Sequence, residues 1–130
     1  RICAQPGTGD YGAFSLLCQY HTQCEYLFEV PRECFLPAPK VTSAVVRLTV
    51  LDQPPVAVAN EDLFFRVVRA AFAQRRKTLL NALSSAFGDK MTKEQIASCI
   101  SSCNLPATVR GEKLGIVEFA QLSAALDAGI

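Results

Sequence analysis

The chain has 130 residues, half of them hydrophobic, and its 13 lysines and arginines nearly balance 12 aspartates and glutamates, for a formal net charge of +1. This length suits one domain or two small lobes with a packed core, and the composition excludes a disordered tail. The balanced charge indicates no particular partner, and no apolar run is long enough to span a membrane. The sequence opens on arginine, without a secretory leader, so we expect a piece of a longer protein.

Residues 1–52 are predicted to form a small α/β unit. A glycine-containing loop over 1–12 precedes a short apolar helix over 13–20. Residues 22–30 alternate as in a strand, and a second strand is predicted for about 43–51. The alternation places these side chains on one face of the first strand: Cys24, Tyr26, Phe28 and Val30.

A proline-rich run joins the two predicted strands. Proline fixes its own backbone angle and favours an extended residue before it, so Phe35 and Lys40 are predicted to lie on a stiff loop. An aromatic ring and a cation held at a fixed separation suit the stacking of a base and contact with its phosphate. The alternative is a connecting loop in which the phenylalanine is simply buried.

Helices are predicted for the second half of the chain. A break at Asp52–Pro55 opens a linker over 53–59, and a helical lobe follows over 60–130. Asn60 is a suitable cap for the first helix, and Thr92 with Gln95 forms a capping box. The apolar pattern predicts helices beginning near 60, 79, 92 and 115 and ending near 74, 88, 104 and 127.

Six cysteines leave three roles open: a disulfide framework, a zinc site or free thiols. They are Cys3, Cys18, Cys24, Cys34, Cys99 and Cys103. The lack of a secretory leader disfavours disulfides, and a single histidine without any CxxC pair disfavours zinc. We therefore expect buried free thiols in a reducing cytoplasm, and no metal.

Catalytic groups are scarce in this sequence. Residues 7–12 match GxGxxG, but the nucleotide-binding form needs a buried strand immediately before the first glycine, so a tight turn is the favoured interpretation. A Ser-His-Asp set is not expected with a single histidine beside an apolar helix, so His21 is interpreted as a helix-end residue rather than a base. The chain by itself is therefore not predicted to be a complete enzyme.

A basic segment gives a stronger signal. Its members are Arg66, Arg69, Arg75, Arg76 and Lys77. Helical spacing places several of them along one stripe, and arginine binds phosphate bidentately, so the segment suits an RNA backbone. The alternatives are a solvated helix face, or arginines paired with Glu61, Glu112 and Glu118.

Four blocks of the sequence resemble the rRNA adenine N6,N6-dimethyltransferase family. They are PGTGDYG at 6–12, FLPAPKVTSAVVRL at 35–48, AFAQRRKTL at 71–79 and RGEKLGIVEF at 110–119. The resemblance is collinear over nearly the whole chain and covers the C-terminal half of that family. The N-terminal half, with the S-adenosylmethionine loop and the catalytic motif, is absent. Gly9 stands where the family usually has lysine, and Gly115 where it usually has serine or threonine.

The resemblance implies a fold and particular roles. The expected fold is an α+β fragment: the last helix and two strands of a class I methyltransferase (Rossmann-like) sheet, followed by a small helical C-terminal domain. Phe35 matches the aromatic residue that stacks on the flipped target adenine, and Lys40 matches a cation near the RNA backbone. The helical domain would help to dock the enzyme on small-subunit rRNA and the ribosomal subunit.

The expected function is therefore that of the C-terminal part of an S-adenosylmethionine-dependent rRNA adenine dimethyltransferase, inactive alone. The alternative is a stand-alone RNA-binding or ribosome-assembly module without catalysis. Two strands taken from a larger sheet expose an unpaired edge, so strand-mediated self-association of the chain is a further expectation.

Overall fold

A computed structural model describes residues 2–34, 36–37, 40–74 and 76–129. Over these ranges the chain forms five α-helices and one two-stranded sheet. The elements are α1 (Ala13–His21), β1 (Thr22–Val30), β2 (Ser43–Val50), α2 (Glu61–Ala73), α3 (Leu79–Phe87), α4 (Lys93–Ser102) and α5 (Ile116–Gly129). The predicted order of one helix, two strands and then helices is confirmed. None of the described helices combines the length and the apolar character needed to cross a bilayer.

Local sequence signals set the helix ends. The Asn60 side chain accepts a hydrogen bond from the Leu63 backbone at 3.1 Å and so begins α2. Thr92 and Gln95 form the predicted reciprocal capping box at the start of α4, with distances of 2.9 and 3.2 Å. α4 ends at Ser102, earlier than predicted, because Asn104 adopts a left-handed conformation with φ of 60°.

One hydrophobic core joins the helices. α2 packs against α1, α3 and α5, while α4 covers α3 and α5. The largest fully buried side chains from this part include Phe64, Phe87 and Phe119. Tyr11 and Tyr20, which precede the predicted linker at 53–59, belong to the same core. The division of the chain at that linker stays a prediction, and the packing is continuous across it.

The sheet is an antiparallel ribbon of two strands, and its register corrects one sequence-based expectation. Tyr26 pairs with Val46 but Phe28 pairs with Val45, so Leu27 is an extra residue that forms a β-bulge. Residues opposite one another share a face, so Phe28 lies on the opposite face from Tyr26. The single face predicted for Cys24, Tyr26, Phe28 and Val30 is therefore wrong, because the bulge shifts the alternation.

Both faces of the ribbon are open to solvent. Tyr26 is 53% exposed on one face, and Phe28 is 55% exposed on the other. Val50, at the end of β2, is 79% exposed. Exposed apolar surface of this extent is unusual for a complete soluble domain. The ribbon thus contrasts with α2, α3 and α4, whose large apolar side chains are buried or half-buried, although Phe14 and Leu17 of α1 and Val117 of α5 are also exposed.

The cysteines are all free thiols, as expected, but their burial differs from the expectation. Cys34 is exposed, and the other five are half-buried. Burial and the neighbouring thiols raise the pKa of Cys18. Its protonated form is therefore favoured, which is the opposite of an activated nucleophile.

Candidate functional site

The proline-rich loop connects the two strands of the ribbon. It begins with a short 3-10 turn at Arg32–Cys34, and Lys40 is exposed near its end. Phe35, the predicted stacking residue, lies outside the described residues. In the middle of the ribbon, Glu25 and Arg47 are opposite one another across the strands, 3.8 Å apart. This pair supports the register from which the loop projects.

The first part of the basic segment lies on the outward face of α2. Arg66 and Arg69 are one helical turn apart, and both are exposed. The Arg66 guanidinium lies over the ring of Phe87 in α3, 5.1 Å from the ring centroid. A cation–π contact of this kind orients the guanidinium while its N–H groups remain available.

The second part is the connection between α2 and α3, residues 74–78, which we call the basic turn. Arg76 and Lys77 are exposed there, and Arg75 lies outside the described residues. The Lys77 backbone N–H donates to the Gln74 carbonyl at 3.0 Å. Thr78 caps α3 by accepting from the Asn81 backbone at 3.3 Å. These bonds fix the turn that presents the cations.

Ion pairing does not occupy these cations. In the described part of the chain, the salt bridges are those of Arg32 with Glu33 and of Arg47 with Glu25. Two of the three acids named as alternative partners, Glu61 and Glu118, are engaged elsewhere. Glu61 hydrogen-bonds to Tyr20, and the Glu118 carboxylate accepts from the Gly115 backbone at 3.1 Å.

The basic residues and the proline-rich loop form two separate candidate regions. Arg66 and Arg69 share one helix face, and Arg76 and Lys77 follow at the end of that helix. Lys40 belongs to a different part of the chain, the connection between β1 and β2. The helical cations that the structure describes therefore lie on α2 and the connection that follows it, whereas Lys40 is carried by the ribbon.

The glycine-containing loop near the start of the chain is a structural turn. Gly7 has φ of +87°, which favours glycine, and its N–H donates to the Glu112 carbonyl at 2.7 Å. Residues 2–5 form no strand before it. The bonded N–H and the lack of a strand at residues 2–5 are features of a tight turn and differ from the nucleotide-binding form of this motif.

The described residues offer no metal centre. Among the residues that the structure describes, no group of three or more histidine, cysteine or acidic side chains could hold an ion. The exposed cations of α2 and the basic turn are thus the features with the clearest capacity for recognition, and their chemistry suits phosphate.

A sequence model of the family described as "Ribosomal RNA adenine dimethylase" matches residues 1–115. The chain belongs to this family. A curated relative, "Ribosomal RNA small subunit methyltransferase A" of Geobacillus thermodenitrificans (strain NG80-2), is 51% identical over 127 residues. That match covers 97% of this chain and 43% of the relative, so the chain spans less than half of the relative's length.

Two solved structures share the fold of this ribosomal RNA adenine dimethylase family member. A dimethyladenosine transferase from Plasmodium falciparum has a TM-score of 0.75 at 19% identity, and the match covers 99% of this chain and 54% of that one. The 23S rRNA methyltransferase ErmE has a TM-score of 0.63 at 21% identity, with 94% and 50% covered. The two matches place the chain within a methyltransferase-type fold.

Sequence reasoning missed several contacts that position the site in this family member. The Tyr11 hydroxyl donates to the Leu114 carbonyl at 2.8 Å, between residues far apart in sequence. Gly111 packs against Ala71 of α2. Gly111, one of the two glycines in the 110–119 block, was the available signal for close backbone approach, but it did not indicate the partner.

Proposed function

We propose that this chain is the C-terminal part of an S-adenosylmethionine-dependent rRNA adenine N6,N6-dimethyltransferase that acts in the cytoplasm on small-subunit rRNA. Its contribution is to hold the target base and to dock the RNA. The observation that carries the docking role is the set of exposed cations Arg66, Arg69, Arg76 and Lys77, for which no ion pair occurs within the described part of the chain. Family membership supports rRNA as the ligand.

The exposed ribbon supports the interpretation of this chain as part of a larger protein rather than as a stand-alone module. Apolar side chains occupy both faces, with Tyr26 and Leu48 on one and Phe28 and Val45 on the other. Strands that are apolar on both faces are typical of sheets covered on both sides by helices. We infer that β1 and β2 complete a class I methyltransferase sheet, whose other strands belong to the rest of the parent enzyme.

The methyl donor belongs to that remaining part of the parent in this proposal. The glycine-containing loop of this chain does not fit the donor, since the Gly7 N–H is bonded within the chain. No chemical step of the donor is therefore assigned to these residues. We expect the isolated chain neither to bind S-adenosylmethionine nor to methylate RNA. Calorimetry that shows micromolar donor binding to the purified chain would contradict this.

Phe35 and Lys40 are proposed to act on the target nucleotide, as the family resemblance implies. A base taken out of its stack must be held by a π face, and an aromatic residue beside a stiff loop suits that task. A lysine five residues later could contact the adjacent phosphate. The Glu25–Arg47 pair and the β-bulge at Leu27 would set the direction in which this loop leaves the ribbon.

The basic surface is proposed to bind the phosphate backbone. Arg66 and Arg69 would bind from the outward face of α2, and Arg75, Arg76 and Lys77 from the basic turn. Contacts of this kind release counterions, so RNA affinity should fall steeply as salt concentration rises. The small ribosomal subunit is the partner that this docking would serve.

Salt-dependent binding of a fluorescein-labelled RNA hairpin tests the docking role. Arg76→Ala should weaken binding and flatten the plot of log affinity against log salt concentration by about one unit, for one lost phosphate contact. Lys93→Ala is the matched control, because Lys93 is also exposed but begins α4, which packs mainly against α3 and α5. The control should bind RNA like the wild type.

The competing role for the same cations is structural support of the helices. In that case, Arg76→Ala would lower the melting temperature while leaving the salt slope unchanged. A large loss of stability with an unchanged slope would show that the basic turn is a brace and that the proposed RNA contact is wrong.

A further inference from the structure

Gly111 lies where the chain crosses α2 at close range. It is buried, and it begins the short 3-10 turn Gly111–Lys113. A Cβ atom added to Gly111 would lie 2.8 Å from the Ala71 Cβ and 3.2 Å from the Ala71 carbonyl oxygen. The first distance is shorter than real Cβ contacts, so a larger residue would force the two segments apart.

The position of Ala71 gives this contact a consequence for the proposed RNA surface. Ala71 lies in the last turn of α2 (Glu61–Ala73), immediately before the basic turn. Two residues before Gly111, the Val109 carbonyl accepts from the Leu79 N–H at 2.8 Å, at the start of α3. Residues 109–111 therefore hold both ends of the basic turn, by packing on one side and by a hydrogen bond on the other.

We propose that Gly111 is a positioning residue for RNA binding: its missing side chain lets residues 109–111 hold the basic turn where Arg76 and Lys77 meet phosphate. The proposal rests on the proposed function, since it assumes that these cations contact RNA. Gly111 itself would touch no RNA. Its effect would pass through the end of α2 and the Val109–Leu79 hydrogen bond.

Two glycine-to-alanine variants separate this role from a general effect of added volume. Gly111→Ala should weaken binding of the labelled RNA hairpin by roughly three- to tenfold, because the displaced turn no longer presents both cations together. Gly9→Ala is the matched control, since a Cβ there meets no atom within 4 Å. The control should bind RNA like the wild type.

The decisive variant removes the other partner of the close contact, the Ala71 methyl group. Ala71→Gly removes the atom nearest to the added methyl group, so Ala71→Gly with Gly111→Ala should recover most of the lost RNA affinity. Ala71→Gly alone is the reference for any loss that comes from glycine in a helix. If Gly111→Ala does not fold, the double variant should fold and bind RNA like Ala71→Gly, and a weaker affinity than that of Ala71→Gly would overturn the proposal, because the methyl group would then act other than through the Ala71 Cβ contact.

Amide hydrogen exchange at Leu79 measures the displacement of the basic turn in the absence of RNA. In Gly111→Ala this amide should exchange about tenfold faster, because its bond to Val109 is strained, and the second substitution should slow it again. Unchanged exchange, or affinity that Ala71→Gly fails to restore, would overturn the proposal. Faster exchange combined with normal RNA binding by Arg76→Ala would instead overturn the proposed function, and the RNA role of Gly111 with it.

Discussion

The helices and the ribbon differ in how far their apolar side chains are buried. In the helices, the apolar stripe of each element meets another stripe, and residues such as Phe64 and Phe119 are fully buried. In the ribbon, the two strands satisfy each other's hydrogen bonds, but Tyr26 and Phe28 remain about half exposed on opposite faces. Hydrogen bonding between the two strands therefore does not bury the apolar side chains of the ribbon.

The contrast indicates which part of the chain carries its own stability. The helices, together with α1, enclose a core, whereas a two-stranded ribbon is marginal by itself. The ribbon is held at one end, where α1 leads directly into β1. The same ribbon bears the proline-rich loop, so the region proposed to hold the target base depends on surroundings that these 130 residues do not supply.

The largest expected effect comes from comparing two phenylalanines. Phe119→Ala should lower the free energy of unfolding by about 3–5 kcal/mol, because it leaves a cavity in the core. Phe28→Ala removes the same atoms from a side chain that is 55% exposed, and it should cost less than about 1 kcal/mol. Urea unfolding of both variants gives the two values. Equal losses would show that the ribbon packs as tightly as the helices do.

Tyr20 connects α1 to the helices and makes this junction sensitive to alkaline pH. Burial, with the hydrogen bond and charge of Glu61, raises the pKa of Tyr20 from 10.0 to about 12. Between these values the folded chain keeps a proton that the unfolded chain releases, so stability is complete below pH 10 and falls as pH rises towards 12.

Tyr20→Phe is the test of this pH dependence. It should lower stability at neutral pH, since the bond to Glu61 is lost, but its stability should fall less steeply above pH 10. All other side chains are common to both proteins, so the difference between the two profiles belongs to Tyr20. Parallel profiles would mean that the junction does not keep this phenol protonated.

The capping box of α4 tests how much a local helix signal contributes to the stability of the helices. Thr92→Ala should cost about 1 kcal/mol, because it removes the acceptor for the Gln95 N–H. Thermal unfolding measures the loss, and Thr92→Ser, which keeps the hydroxyl group, is the matched control. A loss of the same size in both variants would assign the effect to the methyl group rather than to the cap.

The smallest effect is expected in the ribbon. Glu25 and Arg47 are exposed and 3.8 Å apart, so Arg47→Ala should change the free energy of unfolding of the chain by less than about 0.5 kcal/mol. A double-mutant cycle with Glu25→Ala measures the pair directly. Coupling well above 1 kcal/mol would indicate that the ribbon is more rigid than its exposure suggests.

Local signals in the sequence were sufficient to predict most helices and strands, but they did not predict the contacts between them. Asn60 and the Thr92–Gln95 box predicted two helix starts, because caps act over three or four residues. The bulge at Leu27 has no local signature, since it reflects the pairing of two strands. The contact of Gly111 with Ala71 spans forty positions, and no periodicity within either segment specifies it. The basic residues were found from their spacing, whereas their lack of ion pairs needed the fold.

A chimaeric enzyme tests the central claim most directly. The 127 matching residues of the Geobacillus thermodenitrificans relative would be replaced by those of this chain, and methyl transfer to adenines of unmethylated small ribosomal subunits would be measured. The account predicts an active chimaera, and a Phe35→Ala version that still binds the subunit but turns over at least about tenfold more slowly, as one base–aromatic stack is lost. A chimaera that folds and binds S-adenosylmethionine yet transfers no methyl group, or one that Phe35→Ala leaves fully active, would contradict the account.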